Sequence, residues 1–316
     1  MTMNPVIMPA MPPQIQDQAS LLRELVSDKK DVVRLQDRIT GVRSIAVLSG
    51  KGGVGKSNVA VNLALALADK GLNVAILDAD LGLANIDILF GVVPKFNLGH
   101  VLNGEKELSE IMFKVGERVS IIPGGVGLRE LADIDEQSQS WMINRLSFLD
   151  EEMDLLILDT SAGIHKNVLS FAMASDLSLL ITTPEPTAIR DSYGVLKSLC
   201  QATKGELKAA LVVNMASDEK EAFSVAERII SASEQFLDFK IPYLGCVPWD
   251  SELRESVKRR KPLLLGDGSS VAVSYFKDLA QKIFESSEEG QLAKRRVRKD
   301  TFLLRLLRQA GDKEKQ

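Results

Sequence analysis

From residue 44 onward, short and almost uninterrupted apolar runs alternate with longer stretches whose apolar residues recur at helical spacing. The runs are SIAVLS, NVAILD, VSIIP, DLLILD, LSLLITT, AALVVN and YLGCVP, and a helix predicted over Lys56–Lys70 is closed by Gly71. Strands apolar on both faces belong in a sheet covered on two sides, and intervening helices supply the crossovers that parallel pairing needs. The pattern predicts an α/β fold: a doubly wound, mainly parallel sheet of seven or eight strands with helices on both faces. Ligand-binding loops then lie at the carboxyl ends of the strands.

The flanks follow other patterns. Residues 1–13, rich in Met and Pro, read as a flexible leader, and residues 14–41 as one or two amphipathic helices ending at Gly41. The sheet domain covers 42–285, a last helix is expected at about 268–285, and an acidic linker occupies 286–291. The tail, 292–316, joins the basic run KRRVRK to FLLRLL. On a helix, Phe302, Leu303, Leu304, Leu306 and Leu307 share one broad face, while Arg305 and Arg308 point away. With Lys294, Arg295 and Arg296 this is a design for an anionic membrane surface, where each cation contributes roughly 1 kcal/mol. The alternatives are a helix docked on the domain's own core or at a homodimer surface, and a DNA-binding arm.

Composition narrows the chemistry. A net charge of −4 and a pI near 5.5 argue against the broad basic face of a nucleic-acid-binding protein. Cys200 and Cys246 are far apart, and the only histidines are His100 and His165, so neither a zinc site nor a disulfide framework is indicated. The opening lacks the pattern of a secretory signal, and no run is long and apolar enough to cross a bilayer, so a cytoplasmic location is expected.

The stretch SGKGGVGKSNVA, residues 49–60, carries the strongest chemistry. Gly50, Gly55, Lys56 and Ser57 fit G-x-x-x-x-G-K-[ST] between a strand and a helix. Backbone N–H groups there cradle phosphates, the lysine reaches the terminal oxygens, and the hydroxyl serves Mg²⁺. A phosphate grip needs one lysine, and Lys51 is a second. KGGVGKS resembles the deviant Walker A motif of the MinD/ParA family of dimerising ATPases, and the resemblance extends over about residues 43–285. It implies an ATP-sandwich homodimer in which Lys51 crosses to the partner's nucleotide. It further implies that Gly50, Lys51, Gly52, Gly53, Val54, Gly55, Lys56, Ser57 and Asn58 hold ATP or ADP. Asn58 departs from the second hydroxyl residue that many members carry.

The other motifs of that family follow in order. LDADLGLANIDILFG ends a strand at Asp78 and places Asp80 where the family's switch I aspartate positions attacking water, so Asp80, Lys51 and Lys56 are the expected catalytic set. DLLILDTSAG supplies Asp159 in the Walker B position, and Ser57, Asp78 and Asp159 are the expected Mg²⁺ site. Asn214, Pro248 and Trp249 stand where relatives surround adenine. Two isolated cysteines do not give the spacing of the cluster-binding relatives.

DQASLLREL, residues 17–25, resembles the DQAxxLR element of the FlhG (FleN) branch of flagellar-number regulators, with Asp17, Gln18, Ala19, Leu22 and Arg23 in register. This resemblance implies activation of an FlhF-type GTPase. It also implies antagonism of a FleQ-type transcriptional activator or contact with flagellar switch components, and peripheral attachment to the inner face of the membrane, at the pole. A helix packed on the protein's own ATPase domain is the alternative for this segment. A MinD-type division-site regulator, a ParA-type partition ATPase and a nucleotide-gated scaffold with negligible turnover stay open as alternatives for the whole.

Overall fold

The computed structural model describes residues 44–80, 85–125, 149, 152–203, 207–286, 302 and 305–306. The leader, the DQA segment with Asp17, Gln18, Leu22 and Arg23, the acidic linker from residue 287 on, and Lys294, Arg295, Arg296, Leu303 and Leu307 lie outside these residues.

Eight strands form one sheet: β1 (Ser44–Leu48), β2 (Val74–Ala79), β3 (Phe113–Lys114), β4 (Val119–Ile122), β5 (Leu155–Thr160), β6 (Leu177–Thr182), β7 (Ala209–Ala216) and β8 (Tyr243–Pro248). Their spatial order is β3-β4-β2-β5-β1-β6-β7-β8. Every pairing is parallel except β3 with β4. The helices between them are α1 (Lys56–Ala68), α2 (Ile86–Phe90), α3 (Leu98–Leu102), α4 (Leu108–Ile111), α5 (Lys166–Ala174), α6 (Pro186–Ala202), α7 (Glu219–Leu237), α8 (Ser251–Lys258) and α9 (Val271–Ser286). The expected doubly wound sheet is therefore present. Its eighth strand, β3, is a two-residue piece too short to show periodicity in the sequence.

Successive side chains of each central strand point to opposite faces. Ile45 and Val47 join the apolar layer formed with α1 and α9, whereas Ala46 and Leu48 join the layer under α5, α6 and α7. Helix α1 is buried without interruption from Val59 to Leu67. Each large aliphatic side chain placed there contributes about 1.5–3 kcal/mol of burial. The phosphate loop thus opens into the most deeply packed helix of the layer.

The sheet margins are short or covered. At one end β3 is two residues long. At the other, the Lys282 ammonium of α9 donates to the Leu244 carbonyl of β8 at 2.7 Å, and the β7–β8 ladder shifts register twice.

The tail corrects one expectation. Phe302 and Leu306 are buried in an apolar cluster with Phe171, Ala174 and Leu156. Arg305 does not point away from this contact. Its Nε donates to the Ala174 carbonyl at 2.7 Å, closing the end of α5, and its Nη1 pairs with Asp176 at 2.8 Å. Asp176 in turn accepts from the Ser44 amide and hydroxyl, both at 3.0 Å. A free helical wheel could not show this, because Arg305 finds its carboxylate and carbonyl only when residues distant in sequence meet at the start of β1. In this state Phe302 and Leu306 face the body of the protein, as the docked alternative expected.

Candidate nucleotide site

The site assembles at the carboxyl ends of β1, β2, β5, β7 and β8. After β1, the Ser49 hydroxyl donates to the Lys51 carbonyl at 2.9 Å, and the Gly163 amide donates to the Ser49 carbonyl at 2.8 Å. The segment after β5 is thereby tied to the phosphate loop through its backbone. Gly50 is pressed against α6: a Cβ there would lie 2.2 Å from the backbone carbon of Asp191. Gly55 has φ +86°, and its Cβ would meet the Asn214 amide at 2.3 Å. Only glycine fits both the left-handed backbone and the close approach.

Gly55 also stands at the N-cap of α1 and supplies no side chain to its amides. The first-turn N–H groups of a helix lack intrahelical partners and attract anions. The Gly-rich turn therefore leaves the first-turn amides of α1 uncapped beside Lys56, an arrangement suited to an anion such as phosphate.

The two lysines diverge. Lys56 is close enough to Asp159 to favour its ionised form. Lys51 instead turns to the start of α6, where its ammonium meets the Glu185 carboxylate and the Thr187 hydroxyl, the latter at 3.0 Å. Thr187 Oγ1 also donates to Glu185 at 2.8 Å. Lys51, with Thr187 as well as Glu185 beside it, holds the Glu185 carboxyl below the usual carboxylate range.

Asp78 and Asp159 are register partners on β2 and β5. Burial raises Asp78 to about 6, although its oxygens accept amides from Asp80 at 3.2 Å, Asn85 at 3.0 Å and Ile86 at 3.2 Å. Asp78 thus braces the backbone that carries Asp80. Asp159 is fully buried, and burial raises it to about 7 against the pull of Lys56 and Ser57. Among the described residues neither of its oxygens has a partner within hydrogen-bond geometry, Ser57 standing near enough to draw the pKa down without completing the bond. A buried carboxylate without a partner is costly, and a hard divalent cation seeks such oxygen donors. The Asp159–Ser57 region therefore suits Mg²⁺.

On the base side, the Asn214 amide donates to the Val54 carbonyl at 2.8 Å, and its buried Oδ1 has no partner among the described residues. Met215, at φ +60°, reaches toward Gly55 and is 40% exposed. Pro248 ends β8, and the Trp249 amide donates to the Ala216 carbonyl at 2.7 Å while the residue stays 59% exposed. Asp250 then caps two helices, accepting from Glu252 and Leu253 of α8 and from Ser270 before α9.

The expected phosphate, metal and base residues therefore share one end of the sheet. Sequence reasoning missed Glu185, Thr187 and Met215. PEPT at the carboxyl end of β6 was the available signal for the first two, since that end of a strand is where sites form. Asn58 lies in the first turn of α1, where its carbonyl accepts from the Asn62 side-chain amide at 2.8 Å.

Comparison with known proteins agrees with this geometry. Residues 45–263 match the CobQ/CobB/MinD/ParA nucleotide binding domain. The chain is 38% identical over 242 residues to the antiactivator FleN of Pseudomonas aeruginosa, covering 77% of this chain and 86% of that protein. It is 34% identical over 304 residues to the flagellum site-determining protein YlxH of Helicobacter pylori, covering 93% and 99%. Its fold is similar to that of the septum site-determining protein MinD of Pyrococcus horikoshii solved with Mg-ADP, with a TM-score of 0.59, 25% identity, and coverage of 76% and 95%. The unbroken series of phosphate loop, strand-end aspartates and base-side asparagine on a parallel sheet thus has its explanation in descent: the chain belongs to the CobQ/CobB/MinD/ParA nucleotide-binding family.

Proposed function

We propose that this protein is a MinD-like ATPase that regulates flagellar number, binding Mg-ATP at the loop 50–58. The observation that carries the nucleotide reading is the unpartnered Asp159 carboxylate beside Ser57 and Lys56, at the foot of an uncapped helix. The flagellar reading is supported by the similarity to FleN and YlxH over most of the chain.

Backbone amides of the loop and Lys56 hold the phosphates and neutralise their charge. Mg²⁺, when bound by Ser57 and Asp159, would neutralise charge on the β- and γ-phosphates. Asp80 orients the attacking water, the principal task where phosphoryl transfer asks little covalent help of the protein. Asn214 Oδ1 accepts from the adenine amino group while Trp249 and Pro248 cover the base. Lys51, which in this state pairs with Glu185 of its own chain, serves the nucleotide of a second subunit in the ATP-bound dimer, which makes turnover slow and dependent on dimerisation.

The cycle runs between a cytoplasmic monomer and an ATP-bound homodimer that meets partners and the anionic inner face of the membrane, at the pole. The DQA segment, with Asp17, Gln18, Leu22 and Arg23, activates an FlhF-type GTPase, and the dimer restrains a FleQ-type activator or engages flagellar switch components. Lys294, Arg295, Arg296, Leu303 and Leu307 reach the membrane together with Phe302 and Leu306 once these leave the body of the protein.

The decisive experiment counts flagella per cell in a strain lacking the gene and in strains carrying Lys56→Ala or Asp80→Ala. A changed count in all three supports the proposal. Unchanged flagella with minicells would indicate a division-site regulator, and unchanged flagella with DNA-free cells a partition ATPase. Single-turnover hydrolysis equal in wild type and Asp80→Ala would indicate a scaffold. A peptide of residues 1–40 that fails at saturation to stimulate the GTPase would remove the FlhF assignment.

A further inference from the structure

We propose that Glu185, assisted by Thr187, retains Lys51 inside its own subunit, and that this acid sets the protein concentration at which the ATP-dependent dimer forms. The inference rests on the reading that Lys51 serves the partner's nucleotide, and it adds what that lysine must leave in order to do so.

Three observations fix the contact. Ser49 holds the backbone of Lys51 through its carbonyl. Gly50 packs against the Asp191 backbone so closely that no Cβ fits, which sets the distance between the loop and α6. The Lys51 side chain then ends on a prepared pair, the Glu185 carboxylate and the Thr187 hydroxyl, which are also bonded to each other. Two of the three N–H donors of this ammonium are spent on Glu185 and Thr187, and on this proposal it leaves them to reach a phosphate in another subunit.

The contact is built to open. Both side chains are partly exposed, 36% for Lys51 and 53% for Glu185, so water can solvate each after separation. Glu185 keeps the Thr187 hydroxyl when the lysine leaves and is itself half-exposed beside the N-terminus of α6, so release strands no buried charge. A phosphate group carries more charge than one half-exposed carboxylate and outcompetes it when a nucleotide-loaded partner arrives.

The size of the effect follows from symmetry. An exposed ion pair shifts an equilibrium by roughly 1.4- to 5-fold. A dimer requires two such openings, one in each subunit, so the dimerisation constant changes by the square, roughly 2- to 25-fold.

The test measures the half-dimer concentration of the full chain by sedimentation with Mg²⁺ and a non-hydrolysable ATP analogue. Glu185→Gln keeps the shape and removes the charge, and Thr187→Val weakens the same cradle. Both should lower the half-dimer concentration, the first by roughly 2- to 25-fold and the second by less, with nucleotide affinity of the monomer and the thermal midpoint unchanged. An unchanged or higher half-dimer concentration in Glu185→Gln overturns the proposal, the higher value meaning that Glu185 supports the dimer itself. Lys51→Ala separates the two ideas. If it dimerises like wild type, the reading of Lys51 as a residue serving its partner falls. If it fails to dimerise while Glu185→Gln behaves like wild type, only the retaining role falls.

Discussion

Replacing Asp159 with asparagine should make the nucleotide-free, metal-free protein more stable at pH 8 while removing its stabilisation by Mg-ATP. Burial raises this carboxyl from 3.8 to about 7. Its folded value lies above its unfolded value, so below pH 4 both states hold the proton and no penalty exists. Between pH 4 and pH 7 the folded chain retains a proton that the unfolded chain has lost, and stability falls as pH rises; above pH 7 the penalty is complete. A shift of about three units corresponds to about 4 kcal/mol. The asparagine amide bears much the same neutral burial cost as the protonated carboxyl, so the variant escapes the ionisation penalty and little else. The gain at pH 8 is therefore at most about 4 kcal/mol, or roughly 10 °C in melting temperature for a domain of this size. Only about a third of the penalty is present at pH 5, so the advantage should shrink in proportion there. Thermal melts of both proteins in EDTA at pH 5 and pH 8, repeated with Mg-ATP, give all four comparisons. A variant less stable than wild type at pH 8, or a difference independent of pH, would refute the reasoning.

Three further outcomes follow from the geometry. Gly55→Ala forces a side chain into φ +86° and onto the Asn214 amide, costing about 1–3 kcal/mol, and should abolish nucleotide binding in an ATP titration; retained affinity would show that the loop tolerates another shape. Trp249 is exposed beside the base-side wall, so in a Trp141→Phe background its fluorescence should respond to ATP in wild type and stay unchanged in Lys56→Ala. Phe302→Ala removes a ring from the cluster around Phe171 and Ala174. A buried Phe→Ala change costs about 3–5 kcal/mol, more than a short segment can supply. The segment should detach and be cut by trypsin at least about tenfold faster, with the urea midpoint of the sheet unchanged; equal cutting rates would contradict the docking.

The sheet was legible because its strands are buried on both faces, as VAILDA and LLILDT are, and such runs between helices allow few architectures. The phosphate loop was legible because its chemistry is contained in consecutive residues. What escaped was set by approach over long sequence distances. Glu185 lies 134 residues from Lys51 and meets it only because Gly50 admits α6 so closely. Asn214 was expected at the base, yet its bond to Val54, 160 residues away, could not be foreseen. The predicted helix over Lys56–Lys70 ends at Ala68, since Lys70 and Gly71 already bond to carbonyls three residues back. Arg305 looked like a solvent-facing cation because a helical wheel carries no knowledge of Asp176.

The treatment of the two sheet margins bears on how such a chain remains useful in a crowded solution. Eight apolar strands with an open flank would offer a template for indefinite strand addition, the route to fibrils and amorphous precipitate. Here one flank ends in a two-residue piece and the other has a lysine seated on its carbonyl row and a ladder bent by register shifts. Backbone-driven growth is discouraged in both directions. In the cycle proposed above, self-association is then left to the face where the nucleotide decides, so copies of the protein meet on demand and separate again.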